Sequence, residues 1–202
     1  MLYVDRALRT VPDRPTDYPI LVRHRVDPSA ALSHNLAEAA NARFQNAVRR
    51  IGHATSPQGR GKALEELVAA LFNLDATFRV WAIGYSMSDE EIDVVVANHG
   101  KSGFWLSLQS PLILVECKNW TKPVGSPEVR DFAGKLLNHH VLAKIGFLIA
   151  GSGFTSAATD AIRRMSRGDS LIVLLTLTDM LSFPAHDQCL ADWLEGRIAS
   201  LV

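Results

Sequence analysis

The sequence predicts an α/β fold in which a mixed central sheet is flanked by helices, and three observations carry that prediction. Strand-like runs at about 78–85, 91–97 and 112–118 follow one another with only a turn-rich segment, Asn98-His99-Gly100-Lys101-Ser102-Gly103, between the second and third. Such neighbours pair antiparallel. Two later apolar runs, 145–150 and 171–177, are each reached through a helical stretch, and strands joined by helical crossovers lie parallel. No apolar run approaches the roughly 18–20 residues a membrane helix needs.

Along the chain, residues 1–28 carry Pro12, Pro15, Pro19 and Pro28 and no periodicity, which predicts an extended arm or irregular cap. Ser29-Ala30-Ala31 opens a predicted helix reaching about Ile51, polar enough to face solvent or a partner, and Gly52 to Gly61 is expected to be a linker. From Gly61, Leu64, Leu67, Val68, Leu71 and Phe72 recur at helical spacing with Glu65 and Glu66 beside them. After the three strands, Pro127-Glu128 opens a helix expected to reach about Leu142. A strand over Ile145–Ala150, a helix over about Ser156–Met165, a strand over Leu171–Leu177 and a closing helix over Asp187–Ser200 complete the reading. The core order is therefore αβββαβ with a further αβ.

Composition narrows the function classes. The chain has 202 residues, enough for one good core with an accessory segment. Its 21 basic residues balance 21 acidic ones, so it lacks the basic excess of tight, indiscriminate nucleic-acid binders. A group of carboxylates around a metal would subtract charge from an otherwise basic face and produce the same balance. The N-terminus has no basic region followed by an apolar stretch and cleavage site, so no secretory signal is expected. Cys117 and Cys189 are the only cysteines, which argues against a disulfide framework and for a reducing cytoplasm.

The chemistry centres on Leu112-Ile-Leu-Val-Glu116-Cys-Lys118-Asn-Trp120. Strand side chains alternate faces, so Glu116 and Lys118 leave the same face, and Cys117 the other. Read alone, the pair is a solvated ion pair at a strand end. The four aliphatic residues before it imply a buried strand, where charges need partners. Asp93, after Ile92 in the preceding strand, is a second carboxylate. Mg²⁺ is satisfied by a few carboxylates and several waters, so Asp93, Glu116 and the Cys117 carbonyl form a candidate set. The Lys118 ammonium would orient an attacking water or stabilise phosphate charge. Neighbouring carboxylates favour its charged form and burial opposes it, so the sequence leaves its protonation state open.

These residues resemble the PD-(D/E)xK restriction-endonuclease superfamily, in which an acidic residue on the second strand precedes (D/E)-x-K on the third. More narrowly they resemble the Mrr-type restriction endonuclease domain. Leu64-Glu65 matches its apolar-Glu step in the first helix, Ile92-Asp93 its Ile-Asp step, and Glu116-Cys117-Lys118-Asn119-Trp120 its Cys-Lys signature. Val124-Gly125, Val129-Arg130, Phe132 to Gly134 and Ser152-Gly153-Phe154-Thr155 follow in the family's order. The resemblance covers about residues 60–180. It implies a restriction-endonuclease-like sandwich over 58–202, preceded by an accessory segment over 1–57. It further implies catalytic roles for Asp93, Glu116 and Lys118, with Glu65 as an added acidic ligand through water. The family's Gly-Asp-Gly-Gly before Ile-Asp is replaced here by Ser88-Asp89-Glu90-Glu91. Asp89, Glu90 and Glu91 thereby become competing carboxylates, and strand alternation would place Glu91 on the face of Asp93.

Gly151-Ser152-Gly153-Phe154-Thr155 opens a helix after a strand but lacks the third glycine of a dinucleotide fingerprint. Ser152 and Thr155 are candidate contacts to a DNA phosphate, and a tight turn with Thr155 as N-cap is the plainer reading. Arg43, Arg49, Arg50 and Arg60 contact nucleic acid or an acidic partner, or form an ordinary solvated face. The expectation is a Mg²⁺-dependent deoxyribonuclease of bacterial restriction or anti-phage defence, with Mn²⁺ able to substitute. It would act as a homodimer or as the nuclease subunit of a larger defence complex. The alternative is an inactive nuclease-fold module that binds nucleic acid or assembles with a defence partner.

Overall fold

The computed structural model describes residues 28–87, 90–165, 170–183 and 188–200. Residues 1–27 of the predicted arm over 1–28 lie outside them, as do Ser88, Asp89 and the expected helix start at Asp187. Among the described residues, a five-stranded sheet has the order β1-β2-β3-β4-β5: Phe78–Met87, Glu90–Asn98, Leu112–Lys118, Ile145–Ala150 and Leu171–Thr176. β1 and β2 pair antiparallel, as do β2 and β3, while β3–β4 and β4–β5 pair parallel. This is the mixed sheet the connection lengths predict.

Among the described residues, seven helices cover it: α1 Pro28–His53, α2 Pro57–Phe72, α3 Gly103–Ser107, α4 Ser126–Asn138, α5 Ser156–Met165, α6 Leu177–Ser182 and α7 Leu190–Ala199. One layer packs α1, α2, α6 and α7 over Val94, Val96, Ile113, Val115, Phe147 and Val173. The opposite layer packs α4 and α5 over Val95, Leu114, Leu148 and Ile172. Every residue of β4 is buried, as expected of a central parallel strand covered on both faces. Phe44 and Ala47 of α1 join the first layer, so the polar helix still buries one stripe. No helix among the described residues is long and apolar enough to cross a membrane.

Some boundaries differ from expectation. The supposed linker from Gly52 to Gly61 is largely helical: α1 continues to His53, and α2 begins at Pro57. There the Ser56 hydroxyl accepts the Gly59 N–H at 3.0 Å, and proline at the first helical position forfeits no hydrogen bond. α4 stops at Asn138, four residues early, and β5 stops at Thr176. Thr176 Oγ1 accepts the Asp179 N–H at 3.0 Å while Asp179 Oδ2 accepts the Thr176 N–H at 2.9 Å, a reciprocal cap that starts α6.

The β4–α4 contact depends on Gly146. A Cβ there would stand 2.6 Å from the Phe132 ring, and that ring is fully buried. Gly146→Ala is therefore expected to destabilise the fold by ~1–3 kcal/mol through overpacking, read as a lower urea midpoint at unchanged slope.

Candidate active site

β2 and β3 separate where the chemistry sits. Their pairing ends at Val94–Val115, and two residues further along β3 the Cys117 amide donates instead to Asp93 Oδ2 at 2.6 Å. A side chain thus takes over a hydrogen bond that backbone would supply in a continued ladder. The face alternation of β2 also breaks here. Val94 and Val96 pack in one layer, yet Ile92 joins Val95 in the other. On β1, Gly84 lies between the Ile83–Val94 and Tyr85–Ile92 pairs and adopts φ +62°, a conformation glycine tolerates best. β1 and β2 continue pairing to Met87–Glu90, so the hairpin end stands clear of β3.

Glu116 is buried, 5% exposed, and both its oxygens are engaged. Oε1 lies 2.7 Å from Lys118 Nζ and Oε2 lies 2.8 Å from Lys135 Nζ. Lys135, on α4, also donates to the Glu91 carbonyl at 2.6 Å. Nearby, His139 Nε2 lies 2.9 Å from Glu90 Oε2, and Asn138 Nδ2 donates to Glu90 Oε1 at 3.2 Å. The acidic sequence standing where the resemblance expects glycines therefore fastens the hairpin to α4. Glu91 itself is exposed, and its backbone makes the contact.

The electrostatics show a surplus of carboxylate. Burial, and then the Glu116 charge, push the Asp93 carboxyl up to about 6 against the opposing Cys117 N–H and Lys118. Glu65, on α2, is also raised, by burial first and Glu91 next, with Glu116 contributing. Burial opposes the Lys118 charge, but the hydrogen bond and charge of Glu116 outweigh it and raise its pKa. Glu116 thus holds Lys118 toward its charged form. Burial raises the Cys117 thiol well above its usual range, leaving it a core group rather than a nucleophile.

Asp93, Glu116 and Lys118 are brought together at the ends of two adjacent strands. Glu65 approaches closely enough to feel Glu116. Among the described residues, no three His, Cys, Asp or Glu side chains are gathered tightly enough to hold a metal unaided. A cleft of about 430 Å³ opens beside the strand ends, lined by Asp93, Lys118, Arg60, Gly61 and Trp120 among others. Trp120 is 46% exposed, with Lys118 Nζ 5.8 Å from its ring centroid. Its loop is tied down by Ser152 Oγ, which donates to the Trp120 carbonyl at 2.5 Å. Asn119 Nδ2 donates to the Arg60 carbonyl at 2.8 Å, joining the strand end to α2. Thr155 Oγ1 accepts the Ala158 N–H at 3.2 Å, the geometry of an N-cap, and its own hydroxyl proton stays available to an acceptor.

Lys135 is the site residue that sequence reasoning missed. A single lysine on a helix carries no signal by itself. Its position just after the Phe132–Gly134 signature was the available clue. Lys135→Met leaves Glu116 with one ammonium and frees the hairpin. The expected result is a loss of ~1–3 kcal/mol and faster amide exchange at Glu91 and Ile92, measured by hydrogen–deuterium exchange.

Comparison with known proteins shows the family. Residues 58–183, more than half of the chain, match the restriction endonuclease family Mrr_cat. Among solved structures, an ATP-dependent Type ISP restriction-modification enzyme, LlaBIII, bound to DNA is similar at 18% identity, with a TM-score of 0.45 over 68% of this chain. The matched region spans 8% of that protein's length. No curated protein matches. With a family match over most of the sheet and its helices, the chain belongs to the Mrr_cat family of restriction endonucleases.

Proposed function

We propose that the chain is a divalent-metal-dependent endonuclease that hydrolyses DNA phosphodiester bonds in bacterial restriction or anti-phage defence, in the cytoplasm. Mg²⁺ would be the working ion, with Mn²⁺ able to replace it. The observation that carries this reading is the meeting of Asp93, Glu116 and a charged Lys118 at one splayed strand end beside an open cleft.

The donor set suits a hard cation. Asp93 and Glu116 would supply carboxylate oxygens and the Cys117 carbonyl a third, with Glu65 an added acidic ligand through water. Mg²⁺ commonly keeps several waters, so it does not need the three-ligand cluster that the described residues lack. Glu116 accepts from two lysines, yet a carboxylate has about four lone-pair sites, leaving capacity for a ligand bond. The raised pKa values of Asp93 and Glu65 mark a surplus of negative charge that a cation would relieve. The bound cation supplies Lewis-acid charge at the phosphate and acidifies a water.

The chain's own residues then do the positioning. Lys118, being protonated, does not remove a proton from water. It donates a hydrogen bond to the attacking oxygen or to a non-bridging phosphate oxygen, where negative charge grows. Lys135 keeps Glu116 extended toward the strand end. Water oxygen bonds to phosphorus as the water's proton passes to bulk solvent, one bridging P–O bond breaks, and the leaving oxygen takes a proton from solvent. Thr155 would contact a flanking phosphate, and Ser152, which donates to the Trp120 carbonyl, would act through the Trp120 loop. One such site cuts one strand, so duplex scission calls for a homodimer, a larger defence complex or two successive cuts. Residues 1–57 serve as the accessory segment.

The engagement of both Glu116 oxygens by lysines favours a second reading, a non-catalytic module that binds nucleic acid or a defence partner. A labelled DNA duplex incubated with Mg²⁺, Mn²⁺ or EDTA separates the two. Cleavage in either metal and none in EDTA is expected. Retained DNA binding with no cleavage under any condition would select the module.

A further inference from the structure

The basic residues of α1 have no part in the chemistry above, yet they line a hollow that adjoins the cleft. After Glu38, α1 carries Arg43, Arg49, Arg50 and His53 and no acidic residue. This is a local basic excess in a chain whose formal net charge is zero. Asn46, Arg49, Arg50, His53 and Gly59 line an open groove of about 610 Å³. Its far wall is the first turn of α2, whose other side, through Gln58, Arg60 and Gly61, lines the cleft holding Asp93 and Lys118. The two hollows are therefore separated by a single helical turn.

That divide is low. Gly59 and Gly61 put no side chain on it, and a Cβ at Gly61 would stand in open space. Arg60 spans it: Nη1 donates to the Thr55 carbonyl at 2.9 Å, while its buried Nε has no hydrogen-bond partner among the described residues. Arg49 is exposed, with Asn46 as its neighbour, and His53 is exposed at the helix end. Arg50 is partly committed to Glu66, 2.5 Å away.

We propose that this groove is a second phosphate-binding segment, in which Arg49 and His53 hold the sugar–phosphate backbone of the DNA strand whose scissile phosphate lies in the neighbouring cleft. The proposal rests on the nuclease reading and adds a substrate footprint to it. Positive side chains, an open trough and direct continuity with the cleft fit a polyanionic strand. A helix is ~10 Å across, so the groove engages phosphates roughly two to three nucleotides from the scissile one, at ~3.4 Å per nucleotide along a strand. Substrates too short to cross the α2 turn gain nothing from it.

The test uses the full chain, fluorescein-labelled DNA of about 30 base pairs, and EDTA to prevent cleavage. Arg49→Ala/His53→Ala and Arg49→Glu, both at exposed positions, are compared with wild type by anisotropy over a salt series. At ~0.1 M salt, an affinity loss of roughly tenfold is expected, with a log–log salt slope lower by about 1–2. With Mg²⁺ and saturating DNA, turnover is expected to stay within about twofold of wild type, because neither residue touches the reacting phosphate. Wild-type affinity and slope in both variants would overturn the proposal, as would absence of DNA binding by wild type. Equal sensitivity toward polyglutamate in place of DNA would overturn it in favour of an acidic protein partner. Wild-type DNA binding without cleavage, lost in the variants, would sink the nuclease reading and leave the groove standing. Cleavage with unchanged affinity in the variants would do the reverse.

Discussion

Lys118→Ala is expected to lower the rate of DNA cleavage by roughly 10²–10³-fold while leaving DNA affinity within a factor of about two. The reason is where its charge is held. Glu116 at 2.7 Å keeps the ammonium protonated despite its burial, so Lys118 is a fixed hydrogen-bond donor aimed at the strand end. It contributes most where negative charge develops, which is at the phosphate during attack. Ground-state binding of DNA draws on many phosphate contacts and loses little when one is removed. Single-turnover cleavage at saturating DNA isolates the chemical step. Lys118→Arg is not expected to restore it, because a planar guanidinium presents different geometry from a compact ammonium. Retention of wild-type turnover in Lys118→Ala would remove Lys118 from the chemistry. Lys135 still pairs with Glu116 in that variant, so unfolding should not obscure the outcome, and the melting temperature checks this directly.

Asp93→Asn is expected to abolish metal-dependent cleavage and, without metal, to stabilise the fold. The two effects share a cause. Burial and the Glu116 charge raise the Asp93 carboxyl from an ordinary 3.8 to about 6, so the native state prefers it protonated. Below about pH 4 the group is protonated in both folded and unfolded chains, and the native preference is fully satisfied. As pH rises through about 6, the folded protein must ionise a group that the unfolded chain ionises readily, and that stability is lost. A displacement of about two pH units corresponds to ~3 kcal/mol, reduced to ~1–3 kcal/mol by partial exposure of the site. Metal-free Asp93→Asn should therefore melt roughly 3–10 °C above wild type at pH 7.5, and the gap should close toward pH 4. Mg²⁺ should raise the melting temperature of wild type at pH 7.5 and not that of the variant. Thermal melts at the two pH values, with and without metal, measure all of this. A variant less stable than wild type at pH 7.5 without metal would contradict the electrostatic picture.

Much of the fold was legible where sequence punctuation and periodicity agreed. β3, β4 and α5 have the bounds expected of them, because apolar runs of strand length or a helical stripe end at polar or turn residues. α3 and α6 were not legible: with 5 and 6 residues, neither is long enough to display a helical period. The start of α2 was hidden for a different reason. Pro57, Gly59 and Gly61 read as loop residues, and only the Ser56 cap and the packing of Leu64 and Leu67 make that stretch helical. At the site, Asp93, Glu116 and Lys118 were readable from the strand period and the family resemblance. Their electrostatic balance was not, since it depends on Lys135 arriving from α4, twenty residues downstream of Val115. The acidic loop also reads as a departure from a glycine-rich pattern until Glu90 and Glu91 are seen fastened to His139, Asn138 and Lys135.

Digestion of supercoiled plasmid by wild type, Asp93→Ala and Lys118→Ala, at matched concentrations of folded protein, tests the central claim most directly. Each is followed with Mg²⁺, with Mn²⁺ and with EDTA. The expected result is nicking or linearisation by wild type in either metal, none in EDTA, and no cleavage by the two variants. Equal, metal-independent cleavage by all three proteins would contradict the assignment of Asp93, Glu116 and Lys118 as the active site.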